Sequence, residues 1–134
     1  MNINKILRVV VLGIVLITGA QTAGATGSCT SSVLVTAPLM TGEVPGSVIE
    51  CTIVNVSDAP RDVTIKFFLP DGTQFGGSSP QTLEPGHAIE LNTGVDGGGL
   101  FYCKFEVQGC KQHFRAAACI REPTGACTGP IPAQ

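Results

Sequence analysis

Polar and apolar residues alternate with a period of two through much of the chain. Between Leu100 and Gln108 the apolar residues Phe101, Cys103, Phe105 and Val107 alternate with Tyr102, Lys104, Glu106 and Gln108. From His113 to Arg121, Phe114, Ala116, Ala118 and Ile120 share one side, and His113, Arg115, Ala117, Cys119 and Arg121 the other. A period of two places one face of a strand in a core and the other in water. Gly109 to Gln112 is short enough to join the two as a hairpin. Pairing Gln108 with His113 sets Glu106 opposite Arg115, Lys104 opposite Ala117 and Phe105 opposite Ala116. Large then faces small inside, and opposite charges meet outside.

The same reading upstream predicts a first strand over Ser32 to Ala37, ended by Pro38, and a central strand over the β-branched run Val48 to Val56. Asp62 to Leu69 buries Val63, Ile65, Phe67 and Leu69, with Phe68 breaking the alternation. Thr73 to Phe75 reads as a short edge strand and Ala88 to Leu91 as a further strand. Thr41 to Gly46, Ser57 to Pro60, Pro70 to Thr73 and Leu83 to Gly86 are turns rich in Gly, Pro, Asp and Ser. Turns recur at steps of about ten residues and no helical period competes with them, which describes an all-β fold. Cysteines on the second strand and on the penultimate one point to an immunoglobulin-like antiparallel β-sandwich of six or seven strands.

The N-terminus stands apart from this pattern. Lys5 and Arg8 precede the apolar run Val9 to Ala20, and Ala23-Gly24-Ala25 follows it. Together they read as a signal peptide over residues 1–25, cleaved before Thr26, since the run is short for a membrane span. The sandwich then occupies residues 26–122. Residues 123–134, rich in Pro and Gly, read as a tail without a strand pattern. Lys5 and Arg8 are two of the eight basic residues, so the remainder, with ten acids, is about four charges negative. That excludes nucleic acid as a partner, and it excludes attachment to anionic lipid after cleavage.

All six cysteines, Cys29, Cys51, Cys103, Cys110, Cys119 and Cys127, follow the leader. An even number in an exported chain reads as up to three disulfides, formed in a periplasmic or extracellular compartment. Cys51 and Cys103 fall on the inner faces of two predicted central strands and are expected to pair across the core. Cys29, Cys110, Cys119 and Cys127 are surface or terminal positions whose pairing stays open.

Several segments are similar to a group of small exported bacterial β-sandwich proteins: NVSDAP at Asn55 to Pro60, DGT at Asp71 to Thr73, LEPG at Leu83 to Gly86, YCKFEVQG at Tyr102 to Gly109, and RAAAC at Arg115 to Cys119. The resemblance spans about residues 48–121. It implies export and the sandwich fold, and it carries no functional site, because the shared motifs are strand and turn chemistry. Antibody-type domains differ, since the chain has no Trp and Tyr102 adjoins Cys103.

Candidate chemistry is sparse. His87, Cys110 and His113 have the residue types of a cupredoxin-like copper site, although the only methionines are Met1 and Met40, so no axial Met follows His113. Four cysteines could hold zinc, but no C-x-x-C spacing is present. Neither a nucleophile elbow nor a phosphate loop occurs, and one Tyr with no Trp offers little platform for sugars. Asn55-Val56-Ser57 matches a glycosylation acceptor and reads more simply as a turn. The expectation is therefore a non-catalytic protein that needs no cofactor and acts as an interaction or surface module. Its partner would be another protein or a cell-surface component, bound on the outer face of the hairpin by Tyr102, Lys104, Arg115 and Arg121, with His113 and Lys66 nearby. The alternative is a carrier of metal or a small ligand.

Overall fold

The computed structural model describes residues 28–42, 44–94 and 98–134, and the expected leader lies outside them. Among these residues ten strands form two antiparallel sheets packed face to face: β1 (Ser31–Val35), β2 (Leu39–Thr41), β3 (Val48–Asn55), β4 (Arg61–Phe68), β5 (Gln74–Gly77), β6 (Gln81–Leu83), β7 (Ala88–Gly94), β8 (Gly99–Gln108), β9 (Phe114–Arg121) and β10 (Cys127–Pro132). In the first sheet β8 lies between β4 on one side and β1 and β2 on the other, while β5 and β6 share the far edge of β4. The second runs β10-β9-β3-β7.

The alternation anticipated the inner faces. Phe101, Cys103, Phe105 and Val107 of β8, Val63, Ile65 and Phe67 of β4, and Phe114, Ala116, Ala118 and Ile120 of β9 are all buried. Ile49, Cys51 and Ile53 of β3 meet them from the second sheet, fully buried. Cys51 and Cys103 are joined between the central strands of the two sheets, with Cα atoms 6.2 Å apart. The bridge thus ties the layers together at mid-core.

The expected hairpin is not formed. β8 pairs with β1, β2 and β4, whereas β9 pairs with β3 and β10. Between them Gly109, Cys110 and a 3-10 turn over Lys111–His113 carry the chain from one sheet to the other. Phe105 therefore lies opposite Ile65 and Leu34, and Ala116 opposite Ile53. The difference between hairpin and arch has a physical cause. Alternation identifies the dry side of each strand, and two dry sides are satisfied equally by lying in one sheet or by facing across a core.

The tail is also a strand. β10 pairs with β9 around a bulge between Thr128 and Ile131. Beyond it Ala133 donates to Ala116 O (2.8 Å), and Gln134 exchanges hydrogen bonds with Val35 of the other sheet (3.1 and 3.2 Å). The C-terminal residues thus close one side seam of the sandwich, at the bridge between Thr36 and Ala133. Thr36 sits at the bend between β1 and β2, where Pro38 ends the first run. Its amide donates to Cys103 O, and its Oγ1 accepts from the Cys103 amide (both 3.0 Å). The bend therefore stays bonded to β8 although buried, as a buried polar group must.

Candidate binding face

The outer face of the first sheet follows from which residues alternation turns outward. On β8 these are Leu100, Tyr102, Lys104, Glu106 and Gln108; β4 adds Thr64, Lys66 and Phe68, β1 adds Val33 and Val35, and β2 adds Met40. Register sets them in rows: Val33, Glu106 and Thr64; then Val35, Lys104 and Lys66; then Tyr102 beside Phe68; then Met40 beside Leu100. The two lysines would repel, and Glu106 lies between them, 2.6 Å from Lys66 Nζ and 3.0 Å from Lys104 Nζ. The hydrogen bond from Lys66, and then that from Lys104, hold the Glu106 carboxyl below its ordinary range. Phe68 and Tyr102 stack with centroids 5.3 Å apart and planes at 14°. Lys104 Nζ lies 5.8 Å from the Phe68 centroid, within cation–π range.

Around this charged and aromatic centre the face stays apolar and open. Val33 is 40% exposed, Val35 39%, Leu100 39% and Met40 72%. At one end a shallow groove of about 440 Å³ runs between Ser31, Val33, Asp62, Thr64, Pro80 and Gln108. Large apolar side chains gathered on one sheet face, with a polar surround, characterise binding surfaces.

Tyr102 and Lys104, with Lys66, belong to this face. Arg115 and Arg121 do not. Both are on β9, on the outer side of the opposite sheet, so the expected four-residue patch is divided between two faces that point away from each other. Arg115 lies beside Val54 in register and donates to Phe114 O (2.8 Å) and Gln112 O (3.3 Å). Arg121 binds Glu50 through Nε and Nη2, and Glu90 at 3.6 Å. Glu106, expected opposite Arg115, bonds Lys66 and Lys104 instead. The sequence also carried a signal for Val33 and Val35, because if Leu34 and Thr36 go inward their neighbours must go outward.

The metal alternative loses its thiolate. Cys110 is bonded to Cys29, with Cα atoms 5.0 Å apart, and copper coordination needs a free sulfur. His87 and His113 flank the end of β3 on opposite sides, where their carbonyls accept from Asn55 N (3.0 Å) and Val56 N (2.8 Å) respectively. His87 is exposed in its turn, while His113 Nδ1 is buried without a hydrogen-bond partner among the described residues. Glu50, Cys119 and Cys127 place a carboxylate and two sulfurs within 4.8 Å. The sulfurs are bonded to each other, so this group offers no thiolate either, and the described residues hold no free cysteine. Asn55, in the glycosylation pattern, is fully buried; its amide donates to Ala59 O and Leu83 O (both 2.8 Å), and its Oδ1 accepts from Ser57 N and Oγ. It is a turn clamp.

Among the described residues no helix is long and apolar enough to cross a membrane. No protein-family model, no curated protein and no solved structure matches the chain.

Proposed function

We propose that the protein is an exported, disulfide-stabilised β-sandwich that binds a protein or cell-surface component without catalysing a reaction, through the outer face of β1, β2, β8 and β4. The observation that carries this is the cluster of exposed Val33, Val35, Leu100 and Met40 around the Phe68–Tyr102 stack. The core does not need these side chains, and leaving them in water is unfavourable unless something covers them. Lys66, Lys104 and Glu106 add polar specificity beside the aromatics, a composition common at interfaces. Export is supported by the leader pattern at residues 1–25 together with three disulfides, which persist in periplasmic or extracellular surroundings. An immunoglobulin-like arrangement is supported by the central pairings, β3 with β7 and β4 with β8; the edges depart from it, with β9 beside β3 and β1 beside β8.

Site-specific photo-crosslinking in the source cell tests the reading. A photoreactive residue at Val33 or Lys104 should give a discrete adduct, and one at Thr52 on the opposite sheet should not. Adducts from Thr52 alone, or from none of these positions, would remove this face as the binding surface.

A further inference from the structure

The sandwich has four edge regions, and three of them are guarded against adding a strand. β1 is engaged at Val35 by Gln134, and β2 has three residues and follows Pro38. β5 and β6 are four and three residues long, and Pro80 precedes β6. β10 carries a bulge, Gly129 and two prolines. These are the usual defences of exposed edges. β7 has none of them. It runs seven residues, Ala88–Gly94, pairs among the described residues only with β3, and contains no proline and no bulge within its register.

Two further details concern what β7 can accept. The bond from Asn55 N to His87 O marks residues 55 and 87 as a hydrogen-bonded pair. Along the antiparallel register, Ile89, Leu91 and Thr93 then turn their backbone groups to β3, and Ala88, Glu90, Asn92 and Gly94 turn theirs to the free edge. The strand's one charge, Glu90, lies 3.6 Å from Arg121, across β3 on β9. The charge that would protect the edge is thus drawn away from it.

We infer that β7 pairs antiparallel with β7 of a second copy about a two-fold axis at Leu91, joining the two β10-β9-β3-β7 sheets into one. Hydrogen-bonded pairs must form between residues with free groups, so even-numbered residues must oppose even-numbered ones and the axis falls at a residue position, not between two neighbours. Centred on Leu91, all seven positions pair, with Ala88 opposite Gly94 and Glu90 opposite Asn92 of the partner subunit. Centred on Glu90, two carboxylates would face each other; centred on Asn92, fewer positions pair. The favoured register is therefore self-complementary, which a second copy satisfies without any further partner. It forms up to about eight backbone hydrogen bonds and brings Leu91 of each copy side by side at the core face.

Sedimentation of the purified, disulfide-intact protein over a range of concentrations tests this. The parent should reach twice the monomer mass. Asn92→Pro removes an amide that faces the free edge and leaves the bonds to β3, so that variant should stay folded and monomeric. Amide exchange gives a second measurement on the parent alone. The amides of Glu90 and Asn92 should become protected as concentration rises, while those of Ile89 and Leu91 are protected throughout. A parent that remains monomeric, a dimer that survives Asn92→Pro, or fast exchange at Glu90 and Asn92 at every concentration would overturn the inference.

Discussion

Phe105 and Arg115 illustrate how unequal single positions are. Phe105 is fully buried between Leu34 and Ile65, and Phe105→Ala should cost about 3–5 kcal/mol by emptying the core there. Arg115 is exposed and, among the described residues, bonds only backbone carbonyls near it, so Arg115→Glu should change stability by about 0.5 kcal/mol or less. Urea denaturation of both variants checks the contrast; equal losses would mean that Arg115 supports the core. Asn55→Ala belongs with the first class. It removes an amide that ties Ala59 O of the β3–β4 turn to Leu83 O at the end of β6, and the expected loss is about 3 kcal/mol. A smaller, pH-dependent effect attaches to Glu106. Its carboxyl is held low in the folded state, so its contribution is fully present above the unfolded carboxylate range and is lost as pH falls through the folded value. With the carboxylate 37% exposed, that contribution is about 1 kcal/mol or less. Glu106→Gln should therefore be less stable than the parent near pH 7, and the two should converge in acid. A difference that persists at low pH would assign the effect to packing instead.

Strands were the most legible elements. Inward and outward positions on β3, β4, β8 and β9 can be read from alternation, because each has one apolar side. Cys51 and Cys103 could be matched for the same reason, since two buried sulfurs on central strands have few other partners. Lateral neighbours could not be read. Nothing local distinguishes a β8–β9 hairpin from an arch between sheets, so the patch built on the hairpin was split in two. β10 gives no strand signal because Gly129, Pro130 and Pro132 interrupt its alternation, although these are the residues that suit an edge. The short strands β2 and β6 follow or precede prolines and bury too few side chains to signal. Of the candidate face, Tyr102, Lys104 and Lys66 were visible in sequence, while Phe68, Met40 and Leu100 became part of it only through pairing across the sheet.

At the scale of the molecule the disulfides divide the labour. Cys51–Cys103 joins the two sheets in the core, Cys29–Cys110 fastens the start of β1 to the arch, and Cys119–Cys127 fastens β10 to β9. Replacing Cys51 and Cys103 together by Ala should lower stability by about 4 kcal/mol in the chain-entropy account, measured by thermal unfolding against the parent. The connectivity also bears on biosynthesis. Counted along the chain, the first cysteine joins the fourth and the second joins the third, one loop nested inside the other. A chain oxidised as it emerges into its compartment would meet Cys29 and Cys51 together long before Cys103 or Cys110 arrives, and would close a ring that the finished sandwich does not contain. Correct maturation then depends on reshuffling through mixed disulfides. Chains pulse-labelled during export and blocked early with an alkylating agent should accordingly carry the Cys29–Cys51 link, and later samples should have lost it. The order in which thiols appear would make such an exported chain a client for a disulfide isomerase.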